Sequence, residues 1–183
     1  MKIGIDISQI AYEGTGVSAF ISRLVENLLK IDKKNEYILF FSSLRKDFRS
    51  SILDLGNSKN KEQRTNVKVK AFRFPPSLLN LLWNKLHIFP IEWLIGDVDV
   101  FITSDWTEPP IVKAKKATIL YDLIVYKYPN ETDREIIEVQ KRKLEWVKKE
   151  SDLVLCISES TKRDAIEILK IQESRLKVIY PGI

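Results

Sequence analysis

The chain of 183 residues is 44% hydrophobic and 30% charged, the balance of one ordinary globular domain with a core large enough to stand alone. Its net charge of +5 is spread, with Lys and Arg interleaved among Asp and Glu, which describes a solvated surface rather than a nucleic-acid groove. A single cysteine, Cys156, and a single histidine, His87, exclude an internal disulfide and a Cys/His metal cluster.

The start, "KIGIDIS", alternates and is rich in isoleucine, which predicts a buried strand, with no signal-peptide pattern visible in it. "AYEGTGVSAF" follows, with Gly14, Thr15, Gly16 and Ala19 spelling G-x-G-x-x-A. Val17, Phe20, Ile21, Leu24, Val25 and Leu28 then recur at helical spacing and predict one apolar helix face. "EYILFFS" is a second strand. Residues 43 to 66 are polar, and "GNSKNKEQRTN" reads as an exposed, mobile loop.

"VKVKAFRF" predicts a third strand, ended by Pro75-Pro76. Residues 77 to 95 are apolar and aromatic and read as a short helix, a stop at Pro90 and another short turn. The wider segment from Phe74 to Ile95 carries Trp83, Phe89 and Trp93 with Lys85. Such a composition seats a domain on a membrane interface or packs its own core. His87, inside this apolar stretch, reads as structural. "DVDVFITS" and "KATILYD" are the fourth and fifth strands. "DREIIEVQKRKLEWVKKE" is a long helix, acidic in its first turn and basic in its last, as the helix dipole favours. "SDLVLCIS" is a sixth strand holding Cys156 as a core residue. Ser158 is placed to cap the helix "ESTKRDAIEILK", and "LKVIY" is a seventh strand. No apolar run reaches the roughly 18 residues that span a bilayer, and the composition as a whole points to the cytoplasm.

Strands alternating with helices, several of them apolar on both faces, predict a doubly wound α/β fold with a mainly parallel sheet and helices on both faces. Ligands bind such sheets at the carboxyl ends of the strands. Polar residues gather at those ends: Ser8 to Gly16, Ser104 to Pro110, Tyr121-Asp122 and Ser158-Glu159. The glycine pattern does not make a dinucleotide fingerprint. Gly14 lies seven residues beyond Ile7, and the second strand ends in Phe41-Ser42-Ser43 without the acid that would hold a ribose. No Gly-Lys-Ser/Thr makes a P-loop. A glycine loop at a helix start still offers backbone N–H groups to an anion, or simply turns the chain into the helix. In "SDWTEPP", Asp105, Trp106 and Glu108 are candidates to meet an acceptor sugar, with the Trp106 face as a platform. Asp6 and Asp122, read as buried-strand acids beside the cleft, either orient an acceptor hydroxyl or cap loops. Lys162 and Arg163 face either the cleft or water.

Taken in order, "KIGIDIS", "EGTGVSAFISRLVENLLK", "DVDVFITSDWTEPP", "ATILYDLIVYKYP", "VKKESDLVLCISESTKRDAIEIL" and "RLKVIYPGI" resemble the N-terminal domain of GT-B glycosyltransferases of the family 4, or group 1, type. The resemblance covers nearly all of residues 1–183 and implies a single Rossmann-like domain, one half of a GT-B fold, that binds the acceptor. It implies a parent enzyme that retains anomeric configuration, needs no metal or tightly bound cofactor, and moves a hexose such as mannose or glucose from a nucleotide sugar to a glycan or lipid-linked glycan. A second domain, following the equivalent of "VIYPGI", would hold the donor, so this chain alone is expected to be inactive. Gly14, Thr15, Gly16 and Ser158 would serve the donor diphosphate. Asp6, Asp105 and Trp106 would serve the acceptor, at the cytoplasmic side or the inner membrane face. The family usually has His-Asp after the fifth strand, and Tyr121-Asp122 stands there instead as the catalytic candidate pair. A tyrosine can keep a sugar contact but is a poor base near neutral pH. That departure leaves room for a non-catalytic binding or scaffold domain on the same fold. A nicotinamide-dependent oxidoreductase is disfavoured by the glycine spacing and the absent acid.

Overall fold

The computed structural model describes residues 1–44 and 66–181. The loop expected over 56–66 falls, apart from Asn66, outside them, as do Gly182 and Ile183 of the closing motif. Seven strands form one sheet: β1 (Lys2–Asp6), β2 (Glu36–Ser42), β3 (Val67–Phe72), β4 (Val100–Thr103), β5 (Lys115–Leu120), β6 (Leu153–Cys156) and β7 (Leu176–Val178). Their spatial order is β3-β2-β1-β4-β5-β6-β7, and every pair is parallel. This is a doubly wound, Rossmann-like α/β fold, and its strand order reverses between β1 and β4.

The pleat explains the core. Along β2, Tyr37, Leu39 and Phe41 pack with Ile5, Ile7 and helix α1 (Gly16–Ile31) on one face. Ile38 and Phe40 point to the other face. There they meet Leu79, Trp83, Ile91 and Ile95 from the segment joining β3 to β4. Gly4 on β1 is needed on that second face, because a Cβ there would stand 2.6 Å from Phe101 Cδ2. A third cluster joins β5, β6 and β7 to helices α5 (Arg134–Glu150) and α6 (Glu159–Glu167) through Leu120, Leu144, Val147, Val154, Cys156 and Ala165. Burial pushes the Cys156 thiol up to about 11, consistent with a core residue.

Helix ends follow the sequence signals. Thr15 Oγ1 accepts from Ser18 N at the start of α1, Asp133 caps α5, and Ser158 Oγ accepts from Thr161 N at the start of α6. β3 ends at Phe72, two residues short of the expected Phe74, and Pro76 then opens a helix, α2 (Pro76–Leu79), because proline suits a first helical position. α2 continues as a π-helical turn, Asn80–Lys85, after Pro90 comes the short helix α3 (Glu92–Ile95), and another single turn, α4 (Ile124–Lys127), follows β5. Between them His87 and Phe89 have φ of 52° and 71°. That left-handed backbone costs a side-chain-bearing residue about 1–3 kcal/mol, so neighbouring contacts must hold it. They do: Trp83 Nε1 donates to Phe89 O, and the His87 ring bonds Trp83 O and Glu150 while stacking on Trp146 at 3.5 Å. His87 is structural, as its sequence context predicts.

Candidate functional site

The reversal between β1 and β4 is the switch point at which doubly wound sheets carry their ligand crevice, and β1, β4 and β5 deliver polar groups to that carboxyl edge. Asp6 ends β1 and is buried. Its Oδ1 accepts from Ser8 N at 2.9 Å and from Ser8 Oγ at 2.6 Å, so the carboxylate fixes the turn after β1. Ser8 Oγ in turn accepts from Ser42 N at the end of β2. Burial, only partly offset by Ser8 and by Lys143, raises the Asp6 pKa to about 6. On the 3-10 turn Ser8–Ala11, the buried Gln9 Oε1 has no hydrogen-bond partner among the described residues.

Ser104 follows β4, and its hydroxyl meets Tyr121 Oη at 3.0 Å. Tyr121, just past β5, is half-buried and packs its ring edge-on against Phe20 of α1. Burial, with Asp105 and Asp6 nearby, lifts the phenol well above its ordinary range; the Ser104 bond opposes this. The Tyr121 hydroxyl is thus a neutral hydrogen-bonding group at physiological pH. Asp105 is half-buried and accepts from Gln140 Nε2; burial raises its pKa against the pull of Lys143. Trp106 is half-buried, and its carbonyl accepts from Asn84 Nδ2.

Two acids differ from their sequence reading. Asp122 is not a buried-strand acid: β5 ends at Leu120, and the exposed Asp122 carboxylate caps the following turn by accepting from Ile124 N. Glu108 is not offered to an acceptor. It is fully buried, accepting from Thr103 and Thr118 hydroxyls at 2.8 and 2.9 Å, with Lys116 Nζ at 3.8 Å. The chain turns inward at "EPP", and a carboxylate taken from water must find donors there.

Sequence reasoning missed Lys143. Its ammonium is buried, donates to Ser104 O at 2.7 Å, and feels Glu108, Asp105 and Asp6. Burial lowers its pKa while those acids oppose the shift. The available signal was helical phase, because Lys143 interrupts the inward stripe of Ile137, Gln140, Leu144 and Val147 on α5.

A groove of about 580 Å³ lies beside this crevice. α1 supplies Gly16, Val17, Phe20, Arg23, Leu24 and Asn27; the strand ends supply Tyr121, Asp122, Ile157 and Ile179–Pro181. Tyr121 joins the two, with its hydroxyl in the crevice and its ring against α1. Of the candidate phosphate residues, only Gly16 lines the groove. Gly14 takes the left-handed backbone, φ 82°, that turns the loop into α1. Thr15 and Ser158 spend their hydroxyls on helix caps. Arg23, exposed at the groove, has no ion-pair or hydrogen-bond partner among the described residues.

Among the described residues, no group of three His, Cys, Asp or Glu side chains is placed to hold a metal ion, and no helix is long and apolar enough to cross a membrane. No protein-family model matches the chain, and no curated protein matches it.

Proposed function

We propose that this chain is the acceptor-binding half of a retaining glycosyltransferase, serving transfer of a hexose from a nucleotide sugar to a glycan or lipid-linked glycan. One observation carries the reading: blocks distant in sequence meet at a single groove. Gly16 of the glycine loop, Tyr121-Asp122 after β5, Ile157 beside the α6 cap and Ile179–Pro181 after β7 all line it. The volume, about 580 Å³, suits a sugar nucleotide or glycan terminus.

The chemistry of the walls supports the same reading. α1 buries Ile21, Val25 and Leu29 against the sheet, while the half-buried Val17, Phe20 and Leu24 line the groove, Phe20 and Leu24 also packing against the core. Half-buried apolar side chains along a groove suit a ligand or a second domain closing over them. The Arg23 guanidinium, without a partner among the described residues, and the N-terminal end of α1 favour an anionic group, as a donor diphosphate is. The Tyr121 hydroxyl, held by the buried Ser104, is a neutral partner suited to a polyol. In this reading Tyr121 positions the transferred sugar by hydrogen bonding and moves no proton. Asp105 and Trp106 border the acceptor, and a separate nucleotide-sugar domain supplies most donor contacts.

The perturbed phenol also favours a second reading, a non-catalytic sugar-binding module on the same scaffold. Hexose transfer separates the two. The chain joined with its nucleotide-sugar domain is assayed across UDP-, GDP- and ADP-hexoses. Product with retained anomeric configuration supports the transferase; a folded protein that binds glycans but never transfers supports the module.

A further inference from the structure

We propose that Lys143 is the positioning residue of the carboxyl-edge site: with Gln140 it clamps the Ser104–Asp105 segment and so sets the polar wall that a sugar would meet. The sugar rests on the transferase reading, whereas the clamp is built from contacts within the chain. Gln140 and Lys143 stand three positions apart on α5 and so share one face of the helix. They reach two consecutive carbonyls just after β4. Lys143 Nζ donates to Ser104 O at 2.7 Å, and Gln140 Nε2 donates to Asp105 O at 3.2 Å, with Asp105 Oδ1 at 3.4 Å. Ser104 carries the position onward, because its hydroxyl meets Tyr121 Oη at 3.0 Å beyond the end of β5. Two side chains of one helix thus fix groups from two neighbouring strands.

Packing does not explain a lysine here. Lys143 is 2% exposed, beside Leu144 and Val147 on the inward side of α5, where an apolar side chain would join the core. Taking an ammonium out of water is costly. Ser104 O is its one hydrogen-bond acceptor among the described residues, although an ammonium carries three N–H donors. The fold therefore compensates this charge poorly.

What the charge reaches is the site. Burial raises the pKa values of Asp6 and Asp105; Lys143 pulls both back, Gln140 only that of Asp105, and Asp122 adds to the rise of Asp105. The Tyr121 phenol feels Asp105 and Asp6 in turn. Glu108, the third acid facing Lys143, already holds the Thr103 and Thr118 hydroxyls and stands 3.8 Å from Lys116. Asp105 is the half-buried member of these three acids and the one open to a ligand. Ionised, it accepts charge-assisted hydrogen bonds from sugar hydroxyls; protonated, it loses them.

The test compares the parent with Lys143→Met, Lys143→Arg and Gln140→Leu. Carbon-13 NMR follows the aspartate carboxyls against pH. Saturation-transfer NMR follows binding of the methyl α-glycosides of glucose, mannose and galactose over the same range. In Lys143→Met, Asp6 and Asp105 should both titrate at higher pH; in Gln140→Leu, Asp105 alone should move. Lys143→Met should weaken glycoside binding about tenfold or more near neutral pH and carry its pH profile upward with Asp105, while Lys143→Arg keeps the parent profile. A packing defect would weaken binding equally at every pH. Circular dichroism melts select folded variants, and Gln140→Leu, at a half-buried position, serves if Lys143→Met does not fold. Unmoved Asp6 and Asp105 in folded Lys143→Met, or unmoved Asp105 in Gln140→Leu, overturns the proposal. A parent that binds a glycoside which Lys143→Met binds equally well overturns it alone; a parent that binds none overturns the transferase reading with it.

Discussion

Asp6 shows how one buried carboxyl makes stability depend on pH. Its carboxyl is buried at the switch between β1 and β4, bonded to Ser8 and facing the charges of Lys143 and Glu108. Burial is the largest effect and lifts its pKa from 3.8 to about 6. Between those pH values the folded protein keeps a proton that the unfolded chain has released. Stability from this group is therefore full below about pH 4 and lost as pH rises through 6, by about 3 kcal/mol in total. Asp6→Asn keeps an oxygen for both Ser8 bonds and removes the titration. Urea melts between pH 4 and 7 should show the parent losing stability relative to this variant as pH rises. Parallel curves would deny the buried titration. Lys143, a short distance away on α5, is the counter-charge that keeps Asp6 and Asp105 from still higher values.

At the scale of elements, helix ends and turns decide geometry that the apolar pattern leaves open. Lys170, just beyond α6, takes φ of 57°, where a glycine is at ease and a lysine is strained. Lys170→Gly should stabilise the protein by about 0.5–1 kcal/mol, read as a higher urea midpoint with an unchanged slope. A lower midpoint would mean that the lysine makes a contact worth more than the strain. The strands and long helices were legible in the sequence because their periods are clean: alternation in "KIGIDIS" and the i, i+3, i+4 recurrence from Val17 to Leu28. Caps at Ser158 and the basic last turn of α5 were legible for the same reason, being local chemistry. Glu108, Asp122 and Lys143 were not. Whether a charged residue turns inward depends on partners from other strands, such as Thr118 for Glu108 and Ser104 for Lys143. Nor could the pattern divide residues 74–95 into core and surface. Trp83 and Trp93 have the same chemistry ten positions apart, and the π-helical turn and the left-handed residues bury one and expose the other.

The whole molecule is a seven-stranded parallel sheet whose topology dictates where chemistry collects. Helices cover both faces, and at the carboxyl edge Asp6, Ser104, Asp105 and Tyr121 converge from the ends of three strands. The α1 groove and the braced apolar surface between α2 and α3 rest on opposite faces of that sheet, packed against separate cores. The most direct test of the account is glycan binding at the carboxyl edge. Saturation-transfer NMR against a panel of hexose-terminated glycans is compared for the parent, Asp105→Asn and Trp106→Ala. The account predicts saturable binding to the parent that weakens about tenfold or more in both variants, with each variant still cooperatively folded. No saturable binding to any glycan, or binding indifferent to both substitutions, would contradict it.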